Sequence, residues 1–568
     1  MNYNKEAVNI SCHNTRRLNL KQILQSLLDT AVNDMIKDAG LSNDLPEYTI
    51  ETPNNPEHGD FATNVAMKSA GIFRKKPIDI ANDIVSRLKH PMIMSAGAVM
   101  PGFINFSIDS GFYHDLVKKA ATDDSLFKSS IGEGRKVMVE FVSANPTGPL
   151  HIGHGRNAAY GDSLAKIMTA AGYDVHTEYY VNDAGNQMNN LGKSIYARYM
   201  ELSGKEFAFP EDGYHGQYII DIAQELFNEH GEDLAQMPDA QGTDVCFKKG
   251  LHDIKENIAD TLKNFNVDIE LYFSENSLYE NGDVPSSLEY LKERGFVFEK
   301  DGALWFRSTE FGDDKDRVVK RSNGDYTYFA SDIAYHKNKF DRGFMTVIDV
   351  WGADHHGYVK RLSSAIDAIG YEDREFQVSL IQMVNLVNAG ERVSMSTRAG
   401  SFIELDELIK EVGNDAARYF YTMRDYEAQF DFDIALAKKR ESDNPVFYIQ
   451  YAHARVQSVL RKAKEDNIEY ELCSGLEKLK SKEELEIIKK IYDYINVLEQ
   501  SARNRQPHRI GYYLQELASM FHSYYFNNKM LNGDDKDLTS ARVTLAVAVG
   551  NTIRNGLALL GVGAPDRM

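Results

Sequence analysis

The chain has 568 residues, enough for several domains with full cores, and its 43% hydrophobic and 26% charged residues are those of an ordinary soluble globular protein. Its three cysteines, Cys12, Cys246 and Cys473, stand apart without ligand spacing, which argues for a reducing compartment and against structural zinc. A formal charge of −20 confines any nucleic-acid contact to local basic patches with strong salt dependence, and the lack of a secretory h-region or long uncharged apolar run points to a cytoplasmic protein with no membrane segment.

Along the chain, Leu20, Ile23, Leu24, Leu27, Leu28, Ala31 and Ile36 recur near helical spacing and predict an amphipathic helix from about Leu18 to Gly40. The segment His58-Gly59-Asp60-Phe61-Ala62-Thr63-Asn64, a helix carrying Ile80, Ala81 and Ile84, and the turn and strand Pro101-Gly102-Phe103-Ile104-Asn105-Phe106 complete an α+β domain over residues 1–120. Next, Lys136-Val137-Met138-Val139-Glu140 reads as a strand. It is followed by the turn Ser143-Ala144-Asn145-Pro146-Thr147-Gly148-Pro149 and by His151-Ile152-Gly153-His154-Gly155-Arg156, which opens an alanine-rich helix. Asp174 to Val181 supplies the returning strand, so the unit is βαβ with two imidazoles where strand passes into helix.

A helix N-terminus offers unpaired N–H groups and a partial positive charge, and open α/β sheets bind ligands outside the carboxyl ends of their strands. Gly153 and Gly155 lack a Cβ and leave room for a flat purine or a phosphate. His151 and His154, three apart, share one side of the first turn, in reach of phosphate oxygens. An isolated H-x-x-H pair is equally a zinc pair or two surface histidines, although no cysteine or third histidine stands nearby at ligand spacing.

Farther on, Asn182-Asp183-Ala184-Gly185-Asn186-Gln187 is a second polar strand-to-helix turn, and a helical stretch from about Asn189 to Phe273 interrupts the nucleotide fold. Tyr328 and Asp332, four apart, share a helix face. A buried strand from Thr346 runs into Gly352-Ala353-Asp354-His355-His356, and the strand Phe376 to Val384 leads to Gly390-Glu391-Arg392-Val393-Ser394-Met395-Ser396-Thr397-Arg398. From Glu404 the pattern is almost wholly helical. Tyr448, Tyr451 and Arg455 lie on one face with Lys462 two turns on, either a platform for unpaired RNA bases or a core stripe.

The stretch S-A-N-P-T-G-P-L-H-I-G-H resembles the HIGH signature of class I aminoacyl-tRNA synthetases. With H-G-D-F-A-T-N, P-G-F-I-N-F, the N-D-A-G turn, the M-S-T-R loop and the tail Leu559 to Met568, the whole chain is similar to bacterial-type arginyl-tRNA synthetases. The resemblance implies a multidomain fold. Its parts are an N-terminal α+β domain touching the tRNA elbow, a Rossmann-like class I α/β catalytic core over 135–425 with a connective insertion at about 189–300, and an all-α DALR-type anticodon-binding domain over 440–568. It implies activation of L-arginine by ATP to the adenylate, then transfer to the 3′-terminal adenosine of tRNA(Arg), with Mg2+ accompanying ATP and a monomeric enzyme.

By the same matching, Glu140, Asn145, Tyr328 and Asp332 would hold arginine, a planar cation suited to carboxylates and an aromatic wall. His151, Gly153, His154, Asp354, His355 and Met395 would hold ATP, with His151, His154, Ser396 and Arg398 stabilising the phosphate charge. Phe103, Asn105, Tyr448, Tyr451, Tyr525 and Met568 would contact tRNA. One departure stands out: the loop that carries lysines in KMSKS is Ser394-Met395-Ser396-Thr397-Arg398 here, and Thr147-Gly148-Pro149 offers no lysine before the first histidine. Arg398, Arg392 or Arg156 is then expected to supply that charge. A cysteinyl enzyme would need a zinc site and a glutamyl enzyme a cationic pocket, while an RNA-binding relative without catalysis would bind tRNA and leave ATP untouched.

Overall fold

The structure is a computed structural model that describes residues 20–53, 55–393 and 403–568. It divides into two compact units. The first contains the described part of Met1–Leu126 with Val459–Tyr492 and Tyr524–Val549. Its first helix, Leu20–Asp38, buries Leu24, Leu28 and Val32, the stripe that the helical spacing requires. A four-stranded antiparallel sheet follows, in the order Ile50–Glu51, Phe61–Thr63, Phe103–Ile108, Ile93–Val99. Along Phe103–Ile108 the residues alternate, so that Ile104, Phe106 and Ile108 face the core. The helix Pro77–Arg87 covers the sheet with Ile80, Ala81 and Ile84, and Pro77 occupies its first turn, where a missing N–H costs nothing.

The second unit, Phe127–Ser458 with Asp493–Ser523 and Gly550–Met568, is built on a parallel sheet. Its elements are β1 (Lys136–Glu140), α1 (Ile152–Ala170), β2 (Asp174–Val181), β3 (Leu271–Ser274), α2 (Tyr328–Asp341), β4 (Thr346–Gly352), α3 (His356–Ile369) and β5 (Glu375–Ile381). The five strands lie in the order β5-β4-β1-β2-β3, every pairing parallel. Strand order reverses between β1 and β4, which opens a crevice at their carboxyl ends. Met138, Phe340, Val347, Leu362 and Ile366 form a core cluster that seats α2 and α3 on one face of the sheet.

The expected helical stretch between β2 and β3 consists of Asn186–Leu202, Gln217–His230 and Asp239–Asn264. Before α2 stands a small antiparallel sheet, Val297–Lys300, Ala303–Phe306 and Arg317–Lys320, that the sequence pattern did not reveal. Each of its strands has only four residues, too few for a two-residue alternation to register.

Helix α1 is buried nearly all round, from Ile152 to Met168, and a buried Arg418 ties it to distant parts of the unit. The guanidinium pairs with Asp162 on α1 and donates to Leu560 O (2.8 Å), Phe265 O (2.9 Å) and Asn266 O (3.0 Å). The tail is fastened further by Asn266 Nδ2 to Gly561 O (3.0 Å) and Gln450 Nε2 to Gly563 O (2.9 Å). The remaining long helices are Pro445–Glu465, Lys482–Asn504, His508–Asn527 and Lys536–Leu559. Among the described residues no helix is long and apolar enough to cross a membrane.

Candidate active site

At the carboxyl end of β1 the backbone turns sharply. Val142 and Ser143 have φ of 68° and 39°, the left-handed region that a β-branched residue avoids. Hydrogen bonds hold this turn: Val142 N donates to Asn157 Oδ1 (2.7 Å), and Asn157 Nδ2 donates to Val350 O on β4 (2.9 Å), so α1 straddles the crevice. Ser143 Oγ donates to Glu140 Oε1 (2.8 Å) and accepts from Tyr180 N (3.1 Å). Past the turn, Tyr179 Oη donates to Ala144 O (2.7 Å) and Asn145 lies exposed.

The two histidines cap α1. Gly153 N donates to His151 Nδ1 (3.1 Å), His151 N donates to His154 Nδ1 (3.2 Å), and the rings stack with centroids 3.7 Å apart. An imidazole that accepts at Nδ1 is neutral and carries its proton on Nε2, the tautomer that donates to an anion. Burial lowers both pKa values, that of His154 to about 3 with His151 adding to the effect. The glycines also serve the protein's own packing. A Cβ on Gly153 would come 2.9 Å from the His151 ring, and one on Gly155 would come 2.7 Å from Tyr421, so both make room for the protein's own side chains.

Arg156 is a correction. Its guanidinium is buried and donates to Gln382 O (2.9 Å), Ala428 O (2.9 Å) and Asp425 O (2.8 Å), so it is committed to backbone carbonyls and not to pyrophosphate. Arg392 is exposed on the strand Glu391–Val393, and Met395, Ser396 and Arg398 lie outside the described residues.

Helix α2 contributes the second wall. Tyr328, 59% exposed, begins the helix, and its hydroxyl lies near Gly185 at the Asn182 turn. One turn on, Asp332 accepts a short hydrogen bond from Tyr358 Oη, and burial raises its pKa. A third carboxyl joins them that the sequence reading missed. Glu275, only 2% exposed, follows β3, with the Asn182 amide nitrogen donating to its Oε2 (2.9 Å). Burial raises its pKa to about 7, with the carboxylates of Asp332 and Asp183 acting in the same sense. Ser331 and Tyr180, whose hydroxyl is buried beside this group, act against that rise. Asp183 accepts from Ser274 Oγ (2.7 Å) and Asn276 N (3.0 Å), which makes it the clasp that holds Glu275's segment.

Below this wall lies a buried ionic lattice. Glu178, Glu140 and Asp349 stand opposite one another on β2, β1 and β4. Lys339 Nζ lies 2.5 Å from Glu140 and 2.8 Å from Asp349, and His336 Nε2 lies 2.8 Å from Asp349. Arg342 bonds both oxygens of Glu178 (2.7 and 2.8 Å), which also accepts from Tyr335 Oη (2.7 Å). Burial works against ionisation, yet hydrogen bonds from His176 and Arg342 hold Glu178 at about 2. Burial likewise opposes Asp349, but Lys339 and His336 keep it below the usual carboxylate range. Burial pushes the Glu140 carboxyl up against the pull of Lys339. Glu140, expected to meet arginine directly, is thus 6% exposed with Lys339 on one oxygen and Ser143 on the other.

Asp354 and His355 are exposed on the short turn after β4, their side chains 3.6 Å apart. In the helical region of the second unit, Tyr448 and Tyr451 pack on His522 with centroids 4.4 and 5.6 Å apart, and Arg455 lies 4.5 Å over Tyr451, so this face is partly self-stacked. Met568 is exposed. In the first unit Phe103 is exposed, Asn105 is half-buried on the same strand, and Tyr525 is half-buried.

Three family models match the chain. They are an arginyl tRNA synthetase N-terminal domain over residues 22–108, the catalytic domain of class I (R) tRNA synthetases over 116–422, and a DALR anticodon binding domain over 449–568. An arginine–tRNA ligase of Citrifermentans bemidjiense is 47% identical over 97% of this chain and 100% of its own length. One of Listeria monocytogenes is 44% identical over 95% and 98%. A putative arginyl tRNA synthetase structure from Campylobacter jejuni superposes with a TM-score of 0.75 at 34% identity, covering 81% of this chain and 100% of that one. The Thermus thermophilus arginyl-tRNA synthetase shares the fold, with a TM-score of 0.73 at 22% identity over 97% and 100%.

Proposed function

The chain belongs to the arginyl-tRNA synthetase family and is an arginine–tRNA ligase of class I, and on that premise we propose which of its groups do the work. Arginine's guanidinium lies between Asp332 and Glu275 with Tyr328 as its flat wall, and Asn145 takes the amino acid's polar backbone end. The observation that carries this is the absence of an ion pair: among the described residues no Lys or Arg pairs with Asp332 or Glu275, whereas the carboxylates of the lattice below are each paired. A pocket with two uncompensated carboxyls at a Rossmann switch point is complementary to a planar cation.

ATP lies across the N-terminus of α1. His151 and His154, neutral and proton-bearing at Nε2, donate to its phosphates, Gly153 keeps the cap compact, and Asp354 and His355 flank the ribose side. Activation needs alignment of the arginine carboxylate on the α-phosphorus and stabilisation of the charge passing to pyrophosphate, with no covalent enzyme intermediate. Ser396 and Arg398 close over the phosphates on this reading, with Met395 beside the nucleotide. Mg2+ travels with ATP and neutralises its phosphates; among the described residues no group of three His, Cys, Asp or Glu forms a metal cage. Residues 1–120, 135–425 and 440–568 act as tRNA-elbow, catalytic and anticodon modules, with Phe103, Asn105, Tyr448, Tyr451, Tyr525 and Met568 as the tRNA contacts of a cytoplasmic monomer.

The test is amino-acid-dependent ATP/pyrophosphate exchange, with and without tRNA. Exchange with arginine alone among the amino acids is expected, and Arg398→Ala should lower it by about 3 kcal/mol of transition-state stabilisation. Tight tRNA binding without exchange under any condition would show a binding protein instead.

A further inference from the structure

Lys339 lies seven residues beyond Asp332, and the one residue of the expected arginine set that it touches is Glu140. It is fully buried, and its ammonium bridges two carboxylates on neighbouring strands, Glu140 of β1 and Asp349 of β4. From Glu140 the chain of contacts continues upward through Ser143 Oγ (2.8 Å) to Tyr180 N (3.1 Å). Ser143 is one of the two residues held at positive φ at the end of β1, and Asn145 is two residues farther on. A left-handed turn at a β-branched residue persists only where its surroundings over-determine it. Here the Asn157 amide fixes Val142 from α1, and the Glu140 carboxyl fixes Ser143 from β1.

We propose that Lys339 is a positioning residue for amino-acid binding: by keeping Glu140 ionised and oriented, it holds Ser143 and so sets where Asn145 meets the backbone end of arginine. This rests on the reading of Asn145 as an arginine contact. A buried carboxylate without its cation takes up a proton or draws in water, and either change weakens or turns the acceptor that Ser143 uses. The action is directional. Asn145 faces the amino and carboxylate groups of the substrate, whereas Asp332 and Glu275 face its guanidinium.

That direction supplies the test, made on the full-length enzyme with its tRNA in the exchange assay. Ser143→Ala should raise the arginine KM about tenfold, the size of one hydrogen bond to a charged group, with the ATP KM unchanged. Lys339→Met should do the same or more, and Lys339→Arg, which keeps the cation, should restore most of the loss. Butylguanidine, which has the guanidinium but neither the amino nor the carboxylate group, is a probe of the other end, and its inhibition constant should be the same in Ser143→Ala as in the wild type. A parallel rise for arginine and butylguanidine would overturn the proposal, because it would place the effect on α2 and the guanidinium pocket. An unchanged arginine KM in Ser143→Ala, with Asn145→Ala raising it, would also overturn the proposal and leave the Asn145 reading standing. An unchanged KM in Asn145→Ala would remove both. Should Lys339→Met fail to fold, Ser143→Ala and the butylguanidine comparison decide.

Discussion

Helix α2 lies against two carboxylate clusters that differ in one respect. Near its first turn, Asp332 and the neighbouring Glu275 have no ion-pair partner among the described residues. Two turns later, Glu140, Asp349 and Glu178 each face a cation supplied by the same helix, Lys339 for the first two and Arg342 for the third. In both clusters burial raises the cost of a charged carboxylate, Asp332 being half-buried and the others fully buried. In one the protein supplies the compensating charge, which makes a fastening. In the other it withholds it, which makes a site. Burial alone does not separate the two, and the missing cation does.

The sharpest way to break this contrast is to remove a cation from the fastening. Arg342→Met leaves Glu178 without its bidentate partner and should lower the unfolding free energy by about 3–5 kcal/mol, read by urea denaturation; a change below about 1 kcal/mol would mean the lattice is not a fastening. Asp332→Asn should do the reverse. We expect a loss of about 3 kcal/mol in kcat/KM for arginine, with stability equal to or above wild type because an uncompensated carboxyl has been removed. Parallel losses of stability in both variants would erase the distinction.

The smallest effect is a pH response of opposite sign in the two clusters. Glu178, held at about 2, contributes stability that is present above the unfolded carboxylate range near 4.5 and is lost as pH falls toward 2. Glu275, raised to about 7, contributes stability present below that range and lost as pH rises through 7. Because guanidinium binding favours ionised Glu275, the arginine KM should fall about tenfold per unit as pH rises toward 7 and then level off, and Glu275→Gln should flatten that slope. His154, held at about 3, adds no titration to the neutral range, and burial moves His151 the same way.

The β1 to β2 unit was legible because its signals are local. An apolar strand, a Pro/Gly turn and an alanine-rich helix follow one another within about forty residues, and the family motif sits on their junction. The lattice was not, because its partners are remote: Lys339 and Glu140 are 199 residues apart and Arg342 and Glu178 are 164 apart. A signal was nonetheless present in the composition of the strands. Asp349 interrupts an apolar strand and Glu140 ends one, and a carboxylate there demands a partner. Tyr335, His336, Lys339 and Arg342 supply one from a single helix face, at the spacing that already joined Tyr328 to Asp332. Glu275 escaped notice for the opposite reason, since a glutamate opening a short helix reads as an ordinary exposed first-turn residue. Arg156 was offered as a stand-in for the missing lysine, yet α1 is enclosed by the protein on almost every side and commits it to backbone carbonyls.

Arg418 gives the catalytic unit an order of assembly. Its guanidinium pairs with α1, yet one of its carbonyl acceptors, Leu560 O, lies 142 residues downstream. During synthesis on a ribosome, that cation exists long before the segment that completes its shell has been translated. A chain lacking residue 560 would leave that guanidinium without one of its carbonyl acceptors, so α1, capped by His151 and His154, would lose one of the ties between its seat and the tail.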